Sequence, residues 1–151
     1  MSDERLLELL AEAKRLAKEY RALTGRPLGV TGEVAEYEVA RLLEVELSPV
    51  RQAGYDAIRE SPTGTERLQI KGRCLLPGAK RSQQIGGIKL NNEWDVVLLV
   101  LLDETFEATA IYEADRPAIE AALLAPGSKA RNERGALAVS KFKSIGRRIW
   151  P

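Results

Sequence analysis

Apolar residues recur at helical spacing along the first part of the chain. Leu6, Leu9, Leu10, Ala13, Leu16, Ala17 and Tyr20 share one stripe, and Gly25 and Pro27 end it, so the pattern predicts an amphipathic helix over 3–24. A second helix is predicted from about Thr31, read as its N-cap, to Glu44 or Val45. The spacing then changes to strand-like pieces around 47–51 and 55–59, a turn at Ser61-Pro62-Thr63-Gly64, and a strand over 67–74. Residues 76–92, rich in Gly, Gln, Asn and Lys, predict a mobile loop. The run 96–102 is apolar on both faces, as a central strand covered by helices requires. A strand over 109–113, a short helix over 117–124 entered by Pro117, and a last strand over 136–141 before a basic tail complete the pattern. Helix, strands, then helix and strand again predict an α/β sandwich around a mixed central sheet. Gly25-Arg26-Pro27 separates an accessory N-terminal helix, 1–26, from an α/β domain, 27–151.

Composition removes whole classes of chemistry. The 151 residues are 44% hydrophobic and 30% charged, as in ordinary globular domains, and the longest apolar run is far short of the ~20 residues of a membrane helix. No signal-peptide pattern opens the sequence, and a cytoplasmic location is expected. There is no histidine, so every catalytic system built on imidazole and every His-ligated zinc site is excluded. The single cysteine, Cys74, can form neither an internal disulfide nor a zinc site. Any catalysis must use Asp, Glu, Lys, Arg, Tyr, Ser or a hard cation held by oxygen.

Charge is nearly balanced, 23 Lys+Arg against 22 Asp+Glu, but unevenly spread. From Arg67 to Asn92 every charged residue is basic: Arg67, Lys71, Arg73, Lys80, Arg81 and Lys89. From Ser128 to the end, Lys129, Arg131, Arg134, Lys141, Lys143, Arg147 and Arg148 face only Glu133. Such concentrations suit a polyanion, although solvated surface charge accounts for them equally well.

Within the strand 67–74, alternation sends Leu68, Ile70, Gly72 and Cys74 one way and Arg67, Gln69, Lys71 and Arg73 the other. Asp56 lies in a preceding strand that the turn near Gly64 folds back, so Asp56, Gln69 and Lys71 can meet on one surface. In the second helix, at about 100° per residue, Glu36 falls inside the apolar sector, Glu33 lies at its border and Glu38 faces away. A carboxylate on a buried face needs a salt bridge, hydrogen bonds or a metal. Gln69 and Lys71 could equally be the solvent face of an edge strand, and Asp56 could serve a turn.

Taken together, Gly32-x-x-x-Glu36, Gly54-Tyr55-Asp56 and, thirteen residues after that acid, Gln69-Ile70-Lys71 resemble the motifs of the PD-(D/E)XK, or restriction-endonuclease-like, nuclease superfamily in its Gln-x-Lys variant. The resemblance covers roughly 29–113. It implies a helix, a curved run of strands, a crossover helix and a further strand, and magnesium-dependent DNA cleavage. Tyr55 stands where the family usually has Pro, and Gln69 where it has a second acid. The implied roles are oxygen ligation of Mg²⁺ or Mn²⁺ by Asp56, Gln69, the Ile70 carbonyl and Glu36, with Glu33 in the outer shell. Lys71 would orient the attacking water or stabilise transition-state charge. Arg67, Arg73, Lys80, Arg81, Lys89, Lys141 and Lys143 would contact DNA phosphates. Cutting both strands favours a homodimer. The competing expectations are an inactive relative that binds nucleic acid or a partner protein, and a subunit recruited to a larger assembly by its N-terminal helix.

Overall fold

The computed structural model describes residues 3–25, 28–48, 54–75, 83–126 and 135–151. Helices α1 (Asp3–Thr24) and α2 (Thr31–Leu43) come first, followed by strands β1 (Glu46–Leu47), β2 (Ala57–Ser61) and β3 (Gly64–Cys74). Then come β4 (Gln84–Ile85), β5 (Val96–Leu102), β6 (Ala108–Asp115), α3 (Arg116–Leu124), β7 (Leu137–Ala138), α4 (Val139–Ile145) and β8 (Arg147–Trp150). Six strands form a mixed sheet in the order β1-β2-β3-β5-β6-β8, in which only β3 and β5 run parallel. β4 and β7 pair as a separate antiparallel ribbon.

All seven residues of β5 are buried, because both faces of the sheet are covered. On one face Leu68, Ile70, Leu98 and Val100 pack with Val34, Ala35 and Val39 of α2 and with Ala17 of α1. On the other, Trp94, Val97, Leu99 and Leu101 pack with Ile119 and Leu123 of α3, Val139 and Phe142 of α4, and Ile85 and Ile88. The expected mixed sheet between helical layers is therefore present. Among the described residues no helix is long and apolar enough to cross a membrane.

Several expectations need correction. Thr31 is not the cap of α2: Val30 holds that position without a side-chain hydrogen bond, while Thr31 packs against β3, its methyl beside Gly72 and its hydroxyl bonded to Cys74. The strand expected over 136–141 is only Leu137–Ala138; Val139 and Phe142, three apart, turn the chain into α4 because both reach the core from one helical face. The basic tail is a strand, β8, at the edge of the sheet, whose Ile149 and Trp150 pack against the core on the α2 side while Arg147 and Arg148 stay exposed. Of the expected loop, 76–82 lie outside the described residues, and in 83–92 β4 pairs with β7 while Ile85 and Ile88 are buried. Among its described residues the passage from β3 to β5 contains β4 rather than the crossover helix that the resemblance implies. Glu38, read as facing away, is completely buried. It accepts bonds from Lys14 of α1 and from Arg41, because α1 lies over that side of α2.

Candidate active site

The site forms where β2 and β3 part. Their pairing begins at the Ser61–Gly64 turn and ends at Ala57 opposite Leu68, whereas β3 continues to Cys74 beside β5. Beyond Leu68 one edge of β3 has no neighbouring strand among the described residues, and Asp56 fills the gap. Its N–H donates to Leu68 O at 2.7 Å, and its Oδ2 accepts the Ile70 N–H at 2.8 Å, standing in for the missing strand. Among the described residues nothing donates to Oδ1. The Ile70 carbonyl lies on the same side of the strand as its N–H and so opens on the same edge.

Two glycines bring the surrounding parts close enough. Gly54 has φ +89° and a Cβ there would fall 2.8 Å from the Glu93 nitrogen, so the turn that delivers Asp56 rests directly on the 92–93 backbone. That backbone is itself held by Arg116, which stacks over Trp94 at 4.6 Å and donates to the carbonyls of Leu90, Asn92 and Trp94. Gly72 lets α2 lie against β3: a Cβ would stand 2.6 Å from Ala35 Cβ. The next residue of α2 is Glu36.

Glu36 is half-buried, has no ion pair among the described residues, and has its carboxyl pushed up to about 6, mainly by burial and further by the carboxylates of Asp56 and Glu33. The three acids thus share one electrostatic neighbourhood. Lys71 is held below the usual lysine range by burial, with Arg73 and Lys89 adding to the effect and Asp56 opposing it. Its ammonium reaches Gly87, where an added Cβ would lie 3.4 Å from Nζ.

Gln69 is 8% exposed, and its Oε1 has no hydrogen-bond partner among the described residues. An orphaned buried acceptor costs about 1–3 kcal/mol. Alternation places Gln69, Lys71 and Arg73 beside Val97, Leu99 and Leu101 on the face covered by Ile85 and Ile88. Although β3 is open on one edge beyond Leu68, this face is covered by Ile85 and Ile88, so the row is not a solvent face.

The basic residues are placed unequally. Arg67 is engaged by both carboxylate oxygens of Asp95, at 3.1 and 3.2 Å, and by Glu93 at 3.6 Å, so each of its three guanidinium nitrogens faces a carboxylate. Arg73 donates to the carbonyls of Gln84 and Gly72. Lys89, Lys141 and Lys143 are exposed, Lys143 with its ammonium 5.5 Å from the Tyr112 ring centre. Lys80 and Arg81 lie outside the described residues. Among the described residues no three Asp, Glu or Cys side chains are close enough to hold a metal unaided, so any cation here would depend on carboxylates mixed with amide and main-chain oxygens.

Arg116, Gly87 and Ser48 escaped the sequence reading. Arg116 carries no motif, but Gly86-Gly87 was a visible signal of close backbone approach. Ser48, whose N–H donates to Asp56 O at 2.8 Å, gave no signal. Comparison with protein-family models finds none that matches the chain, and comparison with curated proteins finds no relative.

Proposed function

We propose that the protein is a divalent-metal-dependent DNA endonuclease of the PD-(D/E)XK type, with a restriction-endonuclease-like core built around β2, β3, β5 and α2. The observation that carries this reading is the buried, unpartnered Oε1 of Gln69 next to an acid that already holds the open edge of β3. An acceptor without a donor, an Asp56 oxygen that no described group bonds, the Ile70 carbonyl and a carboxyl raised mainly by burial and further by neighbouring acids form an all-oxygen set. That set fits a hard cation such as Mg²⁺ or Mn²⁺. Asp56, Gln69, Ile70 and Glu36 would hold it, with Glu33 in the outer shell. When bound, the cation would polarise the scissile phosphate and acidify the attacking water.

The chain's own groups do the rest. Lys71 places an ammonium beside Asp56 on the polar side of β3, where it stabilises charge building on the phosphoryl oxygens. Gln69 is neutral where a second acid would bind more tightly, so a millimolar metal requirement is expected. Lys89, Lys141 and Lys143, with Arg73 nearby and Lys80 and Arg81 by sequence, supply phosphate contacts; Arg67 instead braces β3 against Asp95.

The proposed assembly is a homodimer through α1. Leu10, Lys14 and Ala17 of this helix face the core. Leu9, Leu16, Tyr20 and Leu23 remain 40, 50, 40 and 80% exposed. Leu6, Ala13 and Tyr20 alternate with Leu9, Leu16 and Leu23 as a heptad seam. An antiparallel second copy sets Leu6 opposite Leu23, Leu9 opposite Tyr20 and Ala13 opposite Leu16, so every layer of a two-fold contact is apolar. The second reading, an inactive module that binds nucleic acid, is favoured by the missing second acid at Gln69. Plasmid nicking with and without divalent metal separates the two.

A further inference from the structure

Two buried side-chain oxygens lack a hydrogen-bond partner among the described residues, Gln69 Oε1 and Ser48 Oγ, and both flank Asp56. Ser48 follows directly on β1. The β1–β2 register runs through Leu47 opposite Ala57, and the bond from Ser48 N–H to Asp56 O continues it, so Ser48 stands across from Asp56. Residues directly opposite on antiparallel strands have Cβ atoms about 5 Å apart. Asp56 in turn is bonded to β3 at Leu68 and Ile70, on either side of Gln69. One acid is thus bracketed by two strands, each presenting a buried oxygen with nothing to bond.

A serine hydroxyl is a donor and an acceptor that rotates freely, so it normally finds a main-chain partner when buried. That it finds none here, next to a second orphan, indicates a missing third party that both would contact. Small hard cations keep several waters when protein ligands are few. We infer that Ser48 is a positioning residue of the metal site, its Oγ holding a water of the cation's hydration shell on the side of Asp56 opposite Gln69. This rests on the metal-dependent reading above and adds to it a residue outside the three motifs.

The test is Mn²⁺ binding to the full chain without DNA, followed by electron paramagnetic resonance of free Mn²⁺, together with the melting temperature of the metal-free protein. Ser48→Ala should weaken Mn²⁺ binding about tenfold, the lower end of what outer-shell partners contribute, and leave the metal-free melting temperature unchanged or slightly raised. Ser48→Cys, close in size but a poor acceptor, should bind as weakly as the Ala variant and serves if that variant folds badly. Wild-type affinity in Ser48→Ala, with binding lost in Asp56→Ala, would overturn the role of Ser48 and leave the metal site standing. A clear drop in the metal-free melting temperature of Ser48→Ala would overturn it too, since the hydroxyl would then have a structural partner. Wild type binding Mn²⁺ no better than Asp56→Ala would remove both this inference and the metal-dependent reading.

Discussion

Replacing Glu36 with Gln should stabilise the protein at neutral pH and leave it unchanged in acid. The Glu36 carboxyl sits at about 6 in the fold against an ordinary 4.5, because burial and the charges of Asp56 and Glu33 disfavour its ionised form. The folded protein therefore binds more protons than the unfolded chain between those values. The penalty is absent below about pH 4.5, grows as pH rises, and is complete above about 6. Converted at about 1.4 kcal/mol for each tenfold change in proton affinity, the displacement is about 2 kcal/mol. Glu36 is only half-buried and partly screened by solvent, which reduces the figure to about 1 kcal/mol. For a domain of this length that corresponds to about 2–4 °C in melting temperature. Thermal or urea unfolding of wild type and Glu36→Gln, without divalent metal, should show the variant more stable by that amount at pH 7.5 and equal at pH 4. Added Mn²⁺ should then stabilise wild type more than the variant, reversing part of the difference. A Glu36→Gln protein that is less stable than wild type at pH 7.5 would refute this reasoning, because it would mean that the carboxylate is paired within the fold.

Gly72→Ala should cost about 1–3 kcal/mol in urea unfolding, since the new methyl meets Ala35 Cβ and the Thr31 carbonyl and must push α2 off β3. The same shift should lower cleavage at temperatures where the variant is still folded, by carrying Glu36 away from Asp56. Leu16→Asp with Leu23→Asp should convert a light-scattering dimer to a monomer with little change in monomer stability, as both side chains are at least half exposed; a wild-type monomer at micromolar concentration would dispose of the α1 contact.

The parts legible from sequence were those with strong periodicity or a steric demand. The 22 residues of α1 carry a helical stripe, and the seven of β5, apolar throughout and closed by Asp95 and Asp103, have the length of a buried strand; both appear where expected. Gln69, Lys71 and Glu36 could be oriented because alternation in β3 and the angular position of Glu36 on α2 fix their directions locally, whereas Asp56, expected within a strand, lies just before β2. Glu38 could not, because its burial depends on α1 crossing α2 and supplying Lys14, a contact 24 residues away in sequence. The strand-to-helix exchange at Val139 failed for a similar reason. A short apolar run is compatible with either period, and the choice was made by the core, where Val139 and Phe142 pack with Ile119 and Leu123 of α3. Arg67 looked like a phosphate ligand on its strand face, but its partner Asp95 arrives from the start of β5, a parallel pairing invisible in local pattern.

The most direct test of the nuclease assignment is nicking of supercoiled plasmid by purified wild-type, Lys71→Ala and Asp56→Ala protein at millimolar Mg²⁺ or Mn²⁺, with DNA binding measured in parallel across a salt series. The predicted result is metal-dependent nicking by wild type and a loss of about 10²–10³-fold in each variant, the magnitude of removing one preorganised stabilising group. DNA affinity should be retained in all three proteins and fall steeply with salt, because the phosphate contacts come from other residues. Nicking that persists unchanged in both variants would contradict the assignment, and so would a wild-type protein that binds DNA with the same salt dependence yet cuts it with neither metal.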